Sequence, residues 1–203
     1  MQSLRGHDSA IPTKEQIYQL VNKLIRNATL CTGSVYKTGA EASVATALYE
    51  NKIGALYEPA IFFGGGGPDF LTRLYRKNRM VQIEIHPIGY LIDSKPKEDL
   101  IAYFEKHGKR KTNHPEIYPI FISDLEASQI TEIFGIDTKL FSEEYWAIPY
   151  ASKKKDTISK RIREFIGNQD TRIQENEKEW KTDIAEILEV EKRIIALRKH
   201  LRN

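Results

Sequence analysis

The sequence has little cysteine, no long apolar run and a small net charge. Cys31 is the single cysteine among 203 residues, which excludes an intrachain disulfide and a cysteine-rich zinc site. No apolar run approaches the roughly 20 residues that a membrane span requires, and residues 1–10 lack the apolar core of a secretory signal. We therefore expect a cytoplasmic protein with no membrane partner. Because the net charge is only +3, any surface for nucleic acid has to come from local clusters of basic residues.

The pattern of apolar residues predicts an α/β fold with a central mixed β-sheet flanked by helices. Hydrophobic residues make up 40% of the chain, which is enough for a packed core. Ile117 to Ile122 is a nearly continuous apolar run, as expected of a central strand that is buried on both faces. We assign residues 1–150 to this α/β domain and residues 151–203 to a helical, coiled-coil-like C-terminal segment.

The C-terminal segment predicts a long helical appendage. After a break at Gly167 and Asn168, apolar residues recur every seven positions, a spacing typical of coiled coils. These residues are Ile173, Trp180, Ile187, Ile194 and Leu201. The pattern predicts a homodimer formed through this helix. The alternative is a long helix that lies on its own domain.

Two helix starts carry capping-box patterns. Thr13 and Gln16 form one, and Thr38 and Glu41 form the other, ahead of a helix predicted from about residue 40 to residue 52. Glu41 therefore has two interpretations. As a cap it reaches back to the backbone N–H of Thr38. As a functional acid it leans from the first helical turn towards the sheet.

The most informative stretch is residues 62–86, which reads FFGGGGPDFLTRLYRKNRMVQIEIH. Four glycines, Gly64 to Gly67, lead into Pro68 and Asp69. Residues 69–75 and 80–86 predict a β-hairpin around residues 77–79. Side chains alternate between the faces of a strand, so Glu84 and His86 are expected on the same face.

This pattern predicts a metal site that acts on phosphate. Neighbouring strands lie roughly 5 Å apart, so Asp69 and Glu84 can share one divalent cation, with the Ile85 carbonyl as a further ligand. Mg²⁺ prefers such oxygen ligands, and His86 is placed to orient or deprotonate water. The glycines would let a DNA backbone approach closely. The alternative is that Pro68 and Asp69 form an ordinary turn and that Glu84 is a solvent-facing strand residue.

The order of these motifs resembles the PD-(D/E)xK nuclease superfamily over about residues 37–135. The layout is similar to that of archaeal Holliday-junction resolvases, in which a Lys-Gly pair and a Glu mark the first helix, as Lys37, Gly39 and Glu41 do here. In those resolvases a glycine-rich loop, Pro-Asp and I-E-V-K follow. Type II restriction endonucleases have the same core. This sequence departs from the pattern at His86, where the family usually has lysine. Asp93 and Lys95 form a second candidate D-x-K.

The resemblance implies a restriction-endonuclease-like core and a Mg²⁺-dependent DNA endonuclease, with Mn²⁺ as the alternative ion. It implies catalytic roles for Glu41, Asp69, Glu84 and His86, with Asp69 and Glu84 as the metal ligands. The expected phosphate contacts are Lys37, Lys95, Lys109, Arg110, Lys111, Lys153 and Lys154.

The expected partner is double-stranded or branched DNA, and a dimer would place one site on each strand. The additional aromatic segment and the long C-terminal helix favour a restriction-type enzyme over a minimal resolvase. The alternatives are a Holliday-junction resolvase, a catalytically inactive DNA-binding or assembly protein with the same core, and an RNA-directed nuclease.

Overall fold

The computed structural model describes residues 13, 15–16, 19, 36–58, 68–86, 88–92, 95–102, 114–148 and 155–200. Near the N-terminus, the capping box at Thr13 and Gln16 is formed in both directions: Thr13 N donates to Gln16 Oε1 at 2.9 Å, and Gln16 N donates to Thr13 Oγ1 at 3.3 Å. Most of the helix predicted to start here lies outside the described residues.

A six-stranded mixed sheet organises the described part of the chain, which confirms the predicted α/β class with flanking helices. Its strands are β1 (Ala55–Tyr57), β2 (Phe70–Arg76), β3 (Arg79–His86), β4 (Ile117–Ser123), β5 (Glu144–Ala147) and β6 (Thr171–Ile173). The main order is β1-β2-β3-β4-β5. The β1, β2 and β3 pairings are antiparallel, whereas β3, β4 and β5 run parallel.

Five helices with fully described bounds flank the sheet. They are α1 (Gly39–Glu50), α2 (Ile88–Ile92), α3 (Ala127–Phe134), α4 (Lys155–Ile166) and α5 (Glu177–His200). Residues 97–102 are also helical, and Thr138–Leu140 forms a 3₁₀ turn. Among the described residues, none of the helices combines the length and the apolar character needed to cross a membrane.

The predicted β-hairpin is confirmed as β2 and β3. Its turn consists of Lys77 and Asn78, which have φ values of 50° and 60°. Two consecutive residues with positive φ are typical of the tight turns that match the twist of antiparallel strands. Arg79, which we had included in the turn, instead pairs with Arg76 as the first residue of β3.

The two faces of the sheet are covered by different helices. Val81, Ile83 and Ile85 of β3 pack in one cluster with α1 and α4. The opposite face has two smaller clusters: Met80 and Ile117 pack under α5, and Phe121 packs with residues of α2 and α3. All seven residues of β4 are buried, as predicted for a central strand.

The elements after residue 155 share these hydrophobic clusters. Ile158, Ile162 and Phe165 of α4 belong to the same cluster as the first helix. Trp180 and Ile187 of α5, two positions of the predicted heptad stripe, are only 1% and 2% exposed and pack on the sheet. Ile173, the first position of the stripe, lies in strand β6 and not in a helix, because it pairs with β2. The stripe at Trp180 and Ile187 therefore covers its own domain. The boundary that we placed between residues 150 and 151 lies outside the described residues. The side chains of residues 194–200 also lie outside them, so the homodimer stays a prediction.

Two further helices connect or follow the parallel strands. Residues 88–92 form α2 and do not extend the sheet, because the parallel strand β4 follows and a crossover is required. Helix α3, which follows β4, begins after Glu126, which shares a capping box with Gln129. That helix ends at Gly135 in the left-handed conformation (φ 70°).

Candidate metal site

The hairpin brings Asp69 and Glu84 together. Phe70 pairs with Ile83, so the antiparallel register places Asp69 beside Glu84 at the next step along the strands. The backbone N–H of Ile85 donates to Asp69 Oδ2 at 2.6 Å. A short bond to a charged acceptor of this kind fixes the carboxylate. The sequence pattern predicted the pairing of the two acids but not this backbone contact.

Glu84 and His86 lie on the same face of β3, as predicted. Glu84 is only 5% exposed. The interpretation of Glu84 as a solvent-facing strand residue is therefore wrong. Its Oε1 lies 2.9 Å from Nε2 of His86. The His86 ring stacks on Phe121 of β4, with centroids 5.4 Å apart and an angle of 20° between the planes. Phe121 was not among the predicted site residues. Its strand was predicted to be buried on both faces, and the contact with His86 is consistent with that prediction.

Asp69, Glu84 and His86 form one cluster of possible metal ligands. Each offers a ligand atom, and these atoms all lie within 4.8 Å of one another. The two carboxylates fit a divalent cation such as Mg²⁺, which prefers oxygen ligands. The imidazole nitrogen is a donor that first-row transition metals accept more readily.

The cluster lies where β3 and β4 end side by side. His86 pairs with Ser123 in the parallel register, and α2 begins directly after β3. Asp124 Oδ1 accepts a hydrogen bond from the backbone N–H of Gly89 at 2.9 Å. A Cβ at Gly89 would lie 2.9 Å from the second oxygen of Asp124. Glycine thus allows the start of α2 to pack tightly against the end of β4.

Glu41 caps α1 and lies outside this cluster. Its capping box with Thr38 is complete, which confirms that prediction. Its Oε2 also accepts hydrogen bonds from Lys37 N at 2.9 Å and from the Tyr57 hydroxyl at 2.6 Å. Burial and the bond to Glu41 raise the pKa of Tyr57. The Tyr57 contact was missed because it joins residues 16 positions apart, beyond local patterns. A catalytic role for Glu41 stays a prediction.

The predicted phosphate contacts are only partly described. The Lys37 side chain is 66% exposed and its Nζ pairs with Glu58. The hydrogen bond to Glu58, together with the charges of Glu58, Glu41 and Asp69, raises the pKa of Lys37. Lys95 is exposed. The remaining predicted contacts, the four glycines and Asp93 lie outside the described residues: Gly64 to Gly67, Asp93, Lys109, Arg110, Lys111, Lys153 and Lys154.

Comparison of the chain with protein-family models, with curated proteins and with solved structures found no match.

Proposed function

We propose that this protein is a metal-dependent DNA endonuclease of the restriction type that hydrolyses phosphodiester bonds. The observation that carries the proposal is the convergence of Asp69, Glu84 and His86, whose ligand atoms lie within 4.8 Å of one another. Two acids on adjacent strands at this spacing suit a divalent cation. The motif order that resembles the PD-(D/E)xK superfamily supplies the reaction class.

A bound divalent cation would neutralise charge on the phosphate and favour deprotonation of the attacking water. Asp69 and Glu84 would hold it. The Ile85 N–H orients the Asp69 carboxylate through its 2.6 Å bond to Oδ2. His86 occupies the position at which the resemblance predicts lysine. The general-base role predicted for His86 requires one of its ring nitrogens to face the attacking water.

We propose DNA as the substrate for two reasons. Basic side chains could contact its phosphates, and the predicted homodimer could act on both strands. The exposed ammonium of Lys37 pairs with Glu58, and the charge of Asp69 is one of the causes that raise the pKa of Lys37. Lys95 follows the end of α2 by three residues and is exposed. The runs 109–111 and 153–154 would add phosphate contacts, and a dimer would cut both strands.

Incubation with plasmid DNA, a four-way junction and single-stranded DNA tests the proposal, with Mg²⁺, Mn²⁺ or EDTA in parallel. We expect discrete plasmid fragments that depend on the metal and disappear in Asp69→Asn and Glu84→Gln. Glu132→Gln is the control, because Glu132 is exposed on α3 and is not part of the cluster. Metal-independent cleavage, or cleavage that survives both acid substitutions, would contradict the proposal.

A second candidate is a DNA-binding or assembly protein that keeps this core without catalysis, and His86 in place of lysine favours it. This protein would bind DNA with equal affinity in the presence of EDTA and would cut no substrate. Resolution of the four-way junction without plasmid fragments would indicate the third candidate, a Holliday-junction resolvase.

A further inference from the structure

The candidate metal site offers a nitrogen atom as well as carboxylate oxygens, whereas Mg²⁺ needs only oxygen ligands. Asp69 and Glu84 supply carboxylate oxygens, and His86 supplies an imidazole within the same 4.8 Å cluster. Mg²⁺ is a hard cation that is held by oxygen atoms. Imidazole binds first-row transition metals more readily. The composition of the cluster therefore bears on which ion it selects.

The geometry between Glu84 and His86 matches one edge of a coordination shell. In an octahedral shell with ligand distances of about 2.1 Å, adjacent ligand atoms lie about 3.0 Å apart. Glu84 Oε1 and His86 Nε2 are 2.9 Å apart. The same distance is that of a hydrogen bond, so the proton between the two atoms has to leave before one ion can contact both.

The imidazole is held in place by its surroundings. Its ring stacks on Phe121 at 5.4 Å, and its side chain is 22% exposed while that of Glu84 is 7% exposed. A ligand that is already oriented loses little conformational entropy when the ion binds. In the same orientation, Nε2 faces the Glu84 carboxylate, which places this nitrogen beside a second possible ligand atom.

We propose that His86 is a direct metal ligand through Nε2, and that the site selects a first-row transition ion, such as Mn²⁺, over Mg²⁺. The inference deepens the proposed function by naming the ion and by replacing the general-base role of His86. It rests on the proposed function only in that both use this cluster.

Electron paramagnetic resonance with Mn²⁺ as the probe tests the ligation directly. We expect one Mn²⁺ bound per chain, with electron spin-echo modulation from a coordinated ¹⁴N nucleus. The modulation should change to the ¹⁵N pattern when the intact protein is labelled with ¹⁵N-histidine, which requires no variant. Absence of nitrogen modulation while Mn²⁺ is bound, or absence of Mn²⁺ binding, would overturn the inference.

Substitutions then identify the histidine and measure the selectivity. His86→Lys restores the residue that the resemblance predicts, and it should abolish the modulation. Removing an outer-shell partner alone typically lowers metal affinity 10–100-fold, so we expect at least about a tenfold loss of Mn²⁺ affinity here. Mg²⁺ affinity, measured by competition, should change less. The exposed substitution Glu132→Gln should keep both the modulation and the affinity. Circular dichroism confirms that each variant is folded.

The cleavage assay separates failure of this inference from failure of the proposed function. Histidine-ligated Mn²⁺ without cleavage of any DNA would leave the ligation standing and contradict the endonuclease. Equal cleavage by the wild type and by His86→Lys, with no nitrogen modulation in either, would support the endonuclease and overturn the ligation.

Discussion

The backbone N–H of Ile85 donates a hydrogen bond to Oδ2 of Asp69 across the hairpin, at 2.6 Å. The residue that follows Glu84 thus orients the other acid of the cluster. One carboxylate oxygen of Asp69 takes part in the structure of the sheet, so substitutions at this position have effects on stability as well as on the proposed chemistry.

Asp69→Ala and Asp69→Asn should separate these two effects. Alanine leaves the partly buried Ile85 N–H without its acceptor, and we expect a loss of about 1–3 kcal/mol in the free energy of unfolding. Asparagine retains a carbonyl oxygen and should lose less. Both should abolish Mn²⁺ binding and cleavage. Urea unfolding and a Mn²⁺ titration measure the two effects, and a fully stable Asp69→Ala variant would contradict the structural role.

Two substitutions of Glu41, which caps α1, should also differ in their effect on stability. Glutamine satisfies the capping-box pattern as well as glutamate does, so Glu41→Gln should lose no more than about 1 kcal/mol. Glu41→Ala removes the acceptor of the Tyr57 hydroxyl and of two backbone N–H groups, and should lose about 1–3 kcal/mol. Equal unfolding midpoints in urea would contradict this account. Loss of cleavage by a stably folded Glu41→Gln variant would instead assign Glu41 the catalytic role that the resemblance implies.

Trp180 is expected to be essential to the stability of the domain. Its indole is 1% exposed, its Nε1 donates to the carbonyl oxygen of Thr72 at 3.2 Å, and the Arg73 guanidinium lies 4.7 Å from the ring centroid. Trp180→Ala should cost about 3–5 kcal/mol. The exposed Glu186, on the same helix, provides the control as Glu186→Ala. If both variants unfold at the wild-type urea concentration, α5 does not form part of the core.

Buried tyrosines predict a loss of stability at high pH. Burial is the main cause that raises the pKa values of Tyr118 and Tyr145 to about 12, with a further contribution from the charge of Glu144 at Tyr118. Between about pH 10 and pH 12 the unfolded chain releases these phenolic protons and the folded protein keeps them, so stability falls as pH rises. Tyr145→Phe should make this fall shallower, whereas substitution of the exposed Tyr49 by Phe should not. Urea unfolding at pH 9 and pH 11 provides the measurement.

Sequence patterns were sufficient to predict the elements with a clear period. The alternation along residues 80–86 predicted the hairpin and the shared face of Glu84 and His86, because a strand has a two-residue period whatever packs against it. The apolar run of β4 likewise predicted a strand buried on both faces. The capping box at Thr38 and Glu41 formed as predicted because all of its contacts are local.

Contacts between distant segments were not predictable in this way. Strand β6 has three residues, too few to show a period, and exists because it pairs with β2. The heptad stripe at Trp180 indicates an apolar helix face but not whether a second chain or the protein's own sheet covers it. The bond between Tyr57 and Glu41 depends on how β1 packs near the start of α1, which no local pattern specifies.

The pairing of β2 has a consequence for biosynthesis. Along one edge of β2, its first half pairs with β1 and its second half with β6. Chains are synthesised from the N-terminus, so this second half stays uncovered until the ribosome has delivered residues 171–173. An uncovered strand edge is a template for aggregation. A nascent chain that stops before residue 171 would therefore expose, on the strand next to Asp69, an edge to which other chains can add.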